Sequence, residues 1–600
     1  MCQDFTREDE KPLGLALLLC DRFDHCLLPR FGLGDGAEES GDIQAHGPAR
    51  SLFSAFAPRA SLAIVEFDYF DLDYRSEFSV THETSFIARN PSARRVHFFS
   101  TQRAPTPDER MRDFIVACTK SYLGYVIVRP QEPPTVGRSM VTANGDCQWL
   151  RFKRQLRRHI RTAVPERVNL FGVPLTAVGV PFMEQDGHLL RCAHVSAWTC
   201  HFAAVLRGSV PRRASAEFHL AEDSSAAYGR PYPSGGLTAT SLSQILRRLD
   251  LPPEVIDDET LRRKRLLTWY DRPALWNAVR EADSSPEKAR LARQEHVWRT
   301  ENLTANVCRY LNSGVPCILS RQTLRHTQVV CGYLRRQSLN AAKRRELTEH
   351  DSVSDVVAFI VQDDQEGPYR PVWVHELIKE MQPPFRSWGL SVLVPLPAGL
   401  WLSGGAAELQ GAEIFAQVVK ERTGQLHDWA QMHQLTASQE AEHRQVLQRL
   451  QHNVSADGSG DLAIRSFAVR GTDLKESERI ADPTAQWVVG YTALPKFVWV
   501  IEVVDRTMRS QVKASVLATV VLDASAVSEK MVSRRALSPL IVHIPGQISR
   551  LVPEVFDNTN WHPTRLGPYK SGRWSHQHRR LSSPEKLWGR AKGATPVSFR

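Results

Sequence analysis

The sequence predicts a mixed α+β protein of several domains, and three observations carry that expectation. Runs rich in β-branched and aromatic residues recur along the chain, SLAIVEF, YLGYVIV and FVWVIEVVD among them, and such runs favour strands. Segments with helical apolar spacing alternate with them, such as DFIVAC and the long AAELQGAEIFAQVVKERTG. Finally, 600 residues exceed what one hydrophobic core serves, so roughly three or four domains are expected.

Composition narrows the class. Hydrophobic residues at 42% and charged residues at 24% fit a folded, soluble protein. The net charge of +10 is 76 basic minus 66 acidic residues, so both signs are abundant. That mixture argues against a dedicated nucleic-acid binder, which concentrates positive charge on one face. Ten scattered cysteines with no CxxC pair suit neither a disulfide scaffold nor a zinc ribbon. The apolar run LGLALLLC lacks a basic flank and is too short to span a bilayer. A reduced, cytoplasmic protein is expected, with no membrane span, no cofactor and no metal.

Taken in order, residues 1–60 mix apolar fragments with the Gly/acidic stretch GLGDGAEESGD, and a partly disordered segment is expected there. An α+β N-terminal domain is expected over 61–165. SLAIVEFDYFDLDYRSEF (61–78) reads as a strand leading into a turn; RVHFFST and YLGYVIVRP read as strands, the latter stopped by Pro130. DERMRDFIVACTKS has helical spacing, and the basic run RFKRQLRRHIR (151–161) reads as the solvated face of a helix. RVNLFGVPLTAVGVPFMEQDG reads as two short strands broken by Gly and Pro.

From Cys192 the chain reads as a buried helix, CAHVSAWTCHF. A helix-rich insertion follows over about 208–300, including SLSQILRRLDL after Thr240 and a helix opened by Pro273. LTANVCRYLNSG reads as a helix stopped by Gly314. Four apolar runs, VPCILS, HTQVVCGYLR, VVAFIVQDD and LSVLVPLP, then read as adjacent strands of one sheet, with Gly332-Tyr333 as a turn. Residues 403–562 read as helical and then β-rich, FVWVIEVVD and ASVLATVVLD forming an antiparallel pair. A basic tail, 563–600, is expected to be poorly ordered.

The chemistry concentrates in the middle third. Cys192 opens a helix, Gln185 stands upstream, His326 heads a strand, and Asp363 and Asp364 close the next one. A cysteine hydrolase needs a thiolate, an imidazole that activates it and later protonates the leaving group, and an acceptor that orients the ring. The oxyanion needs donors, which the Cys192 amide and the Gln185 side chain can supply. Asp363 is preferred as the acid because it directly follows FIVQ; Asp364 is the alternative. The bland readings are weighed beside this one. A lone helical cysteine is more often a buried thiol, and Cys200 and Cys331 are read so. His194, two residues from Cys192, faces away from it on a helix and is read as a packing or hydrogen-bonding residue. His188, Cys192 and His194 do not match a zinc spacing.

The order of the pieces QDGHLLRC, RYLNSGVPCIL, HTQVVCGY and FIVQDD resembles papain-like cysteine peptidases, most closely the bacteriocin-leader-processing, double-glycine branch. The resemblance covers roughly 168–400 and implies a papain-like core over 166–402, a helix bearing the cysteine packed on an antiparallel sheet. It implies Cys192 as nucleophile, His326 as base and acid, Asp363 as orienting residue and Gln185 in the oxyanion hole. The implied activity is cleavage of a peptide or isopeptide bond in a peptide or protein substrate. Gln185 stands seven residues before Cys192, one more than in that branch, and Ala193 replaces its usual glycine. A non-catalytic binding or scaffolding protein of the same fold is the rival reading, and an acyl transferase a variant of the first. Nucleic-acid contact through the basic tail, with Trp561, Tyr569, Trp574 and Trp588, is the weakest. Oligomeric state is not indicated.

Overall fold

The computed structural model describes most of residues 59–142, 156–221, 237–257, 302–336, 356–380, 390–476, 483–505, 516–525 and 539–565, with shorter stretches before residue 59. It is a mixed α+β protein built on three antiparallel sheets. The chain divides into two compact units, each discontinuous in sequence. One comprises Met1–Val255, Val315–Leu334 and Ala358–Pro397; the other comprises Ile256–Gly314, Arg335–Val357 and Ala398–Arg600. Among the described residues, no helix is long and apolar enough to cross a membrane.

The first unit opens with a nine-stranded sheet. Its strands are β1 (Cys2–Asp4), β2 (Leu15–Cys20), β3 (Leu62–Tyr69), β4 (Ala93–Phe99), β5 (Tyr122–Arg129), β6 (Thr135–Val136) and β7 (Ser139–Thr142). After β8 (Leu156–Ile160), which joins the next sheet, come β9 (Val164–Leu170) and β10 (Val173–Phe182). The order is β1-β2-β3-β4-β5-β7-β10-β9, with β6 on β5. β9 and β10 form a hairpin whose two turn residues, Phe171 and Gly172, both have positive φ (50° and 73°), the geometry that matches strand twist. The expected boundary at 165/166 therefore falls within β9.

Three sequence expectations in this unit are corrected. The turn expected after β3 gives way to helix α1 (Leu72–Thr81). Its inward positions are Asp73, Tyr74 and Glu77, so it lacks the apolar stripe by which a helix is recognised. The basic run 151–161 contains no described helix: Leu156–Ile160 is β8, which pairs with a strand of the second sheet. And the Gly332-Tyr333 turn is absent; both residues lie inside one long strand. A Cβ at Gly332 would meet the His159 carbonyl oxygen at 2.2 Å, so this glycine is needed for β8 to approach.

Helix α2 (Met111–Cys118) covers the first sheet and contributes Phe114, Ile115 and Cys118 to its core. Beyond β10 come α3 (Cys192–Leu206), α4 (Ser215–Leu220) and α5 (Ala239–Arg248). The cap of α5 is Thr238, whose hydroxyl accepts from the Ser241 amide, two residues earlier than the start expected after Thr240. The remaining insertion, including Pro273, lies outside the described residues.

The second sheet contains β11 (Pro253–Asp257), β12 (Cys317–Arg321), β13 (His326–Arg336), β14 (Val356–Asp363), β15 (Gly367–Trp373) and β16 (Leu390–Pro395). Its order is β11-β16-β12-β13-β14-β15, with β8 on β13. The four apolar runs expected to share a sheet do so. A core joins it to α3: Ala193, Val195, Ala197 and Cys200 pack with Ile318, Val329 and Leu393.

The other unit holds the third sheet, β17 (Leu462–Arg470), β18 (Phe497–Asp505), β19 (Val516–Asp523), β20 (Ile541–Ile544), β21 (Gln547–Pro553) and β22 (Thr559–Arg565), in sequential order. The expected pairing of FVWVIEVVD with ASVLATVVLD is the β18–β19 ladder. A helix over 302–312 ends before Gly314, whose φ is 75°. In this unit Arg309 donates to Glu408 at 2.9 Å and to Ser466, and Tyr310 packs edge-on against Trp499. The basic tail beyond Arg565 lies outside the described residues.

Candidate active site

Cys192 is the first residue of α3 and is half-buried. The first amides of a helix have no intrahelical acceptor, so the turn that begins at Cys192 offers backbone donors. The segment before it is shaped by Asp186, whose Oδ1 accepts the amides of Leu189 and Leu190 at 2.9 and 2.8 Å. One turn into the helix, Ser196 Oγ donates to the Thr327 carbonyl at 3.3 Å. That bond ties the cysteine-bearing turn to the residue next to His326.

His326 begins β13, opposite Arg321 of β12. Asp363 ends β14, opposite Gly367 of β15. Neighbouring strands thus carry base and acid to one sheet end. His326 Nε2 lies 3.1 Å from Asp363 Oδ1 and 3.9 Å from Asp364 Oδ1. Asp363 Oδ1 also accepts the amides of Gln365 and Glu366 at 2.9 and 3.0 Å, and its Oδ2 accepts the Gln328 side-chain amide. Asp364 differs: it is buried, and among the described residues no other residue gives its carboxyl oxygens a hydrogen bond.

The electrostatics follow from this arrangement. Burial alone would lower the pKa of His326. Its hydrogen bond with Asp363, the neighbouring Cys192 thiol and the charges of both aspartates outweigh that and lift it to about 10. Burial would raise Asp363, but the His326 bond and charge and the donors around it hold it below its ordinary value. For Asp364 burial dominates and Asp363 adds repulsion, so the carboxyl is pushed up to about 7 despite His326. The ring is therefore protonated at neutral pH. Nε2 is committed to Asp363, and Nδ1, buried and without a partner at full hydrogen-bond geometry, is the nitrogen left for the thiol. Such contacts are often long before substrate binds.

Cys192, His326, Asp363 and Asp364 are thus brought together. Gln185 lies half-buried between β10 and α3, and no described residue hydrogen-bonds to its side chain. His194 is fully buried, its Nδ1 accepting the Arg191 amide at 3.3 Å. Cys200 is buried in the helix core, which raises its thiol pKa, and Cys331 Sγ donates to the Ile360 carbonyl. His188 lies outside the described residues. Ligand atoms of His326, Asp363 and Asp364 lie within 4.8 Å of one another, a spacing open to a cation. The four donors on Asp363 already fill that carboxylate, which fits a hydrogen-bonded acid better than a ligand.

No family model, curated protein or solved structure matches this chain. The arrangement must therefore be read from its own chemistry.

Gln328 and Ser196 escaped the sequence reading. Gln328 follows His326 by two, which is one face of a strand; Ser196 follows Cys192 by four, which is one face of a helix. Spacing alone could have flagged both, but only the neighbouring element gives either a role.

Proposed function

We propose that this protein is a cysteine hydrolase with a papain-like core, cleaving a peptide or isopeptide bond. The observation that supports it best is the imidazole of His326, placed between the Cys192 thiol and the Asp363 carboxylate. The thiolate is the attacking form, and the imidazolium beside it carries the opposite charge. Sulfur adds to the substrate carbonyl carbon, and the carbonyl electron pair moves onto oxygen. The Cys192 amide at the helix mouth is the first donor for that oxyanion, and Gln185 is the second if its side chain turns toward the site. As the C–N bond breaks, His326 gives its proton to the departing amine. Water then attacks the thioester and His326 takes its proton; the C–S bond breaks, the carboxylic acid leaves, and the thiolate–imidazolium pair is restored. Asp363 keeps the ring oriented throughout and is not itself protonated. On this reading the protein works in the cytoplasm, where a thiol stays reduced.

The test is covalent capture by a peptide carrying a vinyl sulfone, with the modified residue located by peptide mass. The adduct should form on Cys192 and vanish in C192A, while Cys200 and Cys331 stay unmodified. An adduct spread over the buried thiols, with Cys192 untouched, would leave a binding protein of this fold and not an enzyme.

A further inference from the structure

We infer that Gln328 is a positioning residue of this site: its side-chain amide holds Asp363 against His326 and so selects which of two adjacent acids orients the ring. The inference rests on the cysteine-hydrolase reading and adds to it a residue and a selection step.

Two carboxyl groups compete for one ring nitrogen. Asp363 Oδ1 is 3.1 Å from Nε2 and Asp364 Oδ1 is 3.9 Å away. Both acids are buried, so neither is favoured by water. What separates them is the supply of donors. Asp363 collects two backbone amides of the β14–β15 turn on Oδ1 and the Gln328 amide on Oδ2, whereas among the described residues no other residue hydrogen-bonds either oxygen of Asp364. The turn amides hold one oxygen; Gln328 is the side chain that holds the other and stops the carboxylate from rotating about its own bond. Gln328 is itself buried, and only its NH2 end can face an ionised carboxylate. It is carried on the same strand and face as His326, so ring and clamp move together.

The test follows the alkylation rate of Cys192 by iodoacetamide against pH, and the titration of His326 by NMR of histidine-labelled protein. The charged and titratable groups acting here are Cys192 from α3, Asp363 and Asp364 from the end of β14, and Glu184 acting on Asp364 from the segment after β10. Q328M, close in volume, should slow Cys192 by about 10- to 100-fold, the size of one hydrogen bond to a charged group, and move the His326 titration down. D364N should cost little in the wild type and much more in Q328M, because only there does the ring need the second acid. Q328E serves if Q328M does not fold: below about pH 5 its protonated carboxyl can donate to Asp363, so its rate relative to wild type should rise as the pH falls. A Q328M that folds with the wild-type rate and His326 titration overturns the inference. So do equal D364N costs in both backgrounds, or a flat Q328E ratio. Failure of the hydrolase reading looks different: wild-type Cys192 would then react no faster than a free peptide thiol, while the NMR titration would still report on Gln328.

Discussion

Asp364 is a carboxyl group that the fold removes from water without a hydrogen bond from any other described residue. Leaving a buried polar group unpaired is expensive, and burial accordingly lifts this one from 3.8 to about 7. The sign of its pH dependence follows. A carboxyl whose folded pKa is raised contributes its stability in full below the unfolded value and loses it as the pH rises through the folded value. D364N removes that loss. Its melting temperature should match wild type near pH 4 and exceed it at pH 8; a variant less stable at pH 8 would show that the ionised Asp364 is held by something else. At this scale the chain is legible in part. Thiol, imidazole and acid can be picked out by their order, because each is a reactive residue type at the end of an element. Gln328 shares a strand face with His326 by spacing, but between Thr327 and Val329 it reads as an ordinary strand residue until the neighbouring strand supplies Asp363.

At the scale of elements, the expectations that failed were those where polarity faced inward. Helix α1 carries Asp73 and Glu77 toward the core, and the partners that make this tolerable are distant in sequence. Arg129 of β5 pairs with Glu77 at 2.8 Å, and Arg212 and the Trp198 indole bond Asp73 at 3.1 and 3.3 Å. No local pattern announces a helix whose counterions arrive from elsewhere. The same arginine reaches the site: Arg129 Nη2 donates to the Glu184 carbonyl at 2.7 Å, and Glu184 Oε2 accepts the Val136 amide. The segment leading to Cys192 is thus pinned from beneath. R129M should cost about 3–5 kcal/mol at pH 8, the range for orphaning one member of a buried pair. The cost should shrink at pH 5, because burial raises Glu77 to about 7 and lets it neutralise. Denaturant melts at the two pH values check this, and an equal cost at both would contradict it. Strands fared better. β5, β12, β14, β16, β18 and β19 are buried and apolar, which is the signal that composition carries. β8 was misread because its basic residues border half-buried ones and its partner, β13, lies far along the chain.

At the scale of the molecule, sequence order and compact units do not coincide. The helix over 302–312 belongs to the unit completed by 398–600, yet it leads directly into β12. Its buried face is covered late in the chain: Arg309 by Glu408 and Ser466, Tyr310 by Trp499. A protein ending at residue 402 keeps the whole candidate site but loses that cover. It should populate soluble aggregates and melt at a lower temperature than the full chain, as read by light scattering and calorimetry. A monomeric fragment of unchanged melting temperature would show that the first unit stands alone. Such interleaving is hidden from a sequence read left to right, because each segment looks complete by its own periodicity.

The most direct measurement is the second-order rate of Cys192 alkylation at pH 7 in wild type and in His326→Gln. With the imidazole facing the thiol, wild type should outpace a simple peptide thiol, and the variant should fall at least about tenfold. Equal rates in the two proteins, with both folded, would mean that the sulfur and the ring do not work together.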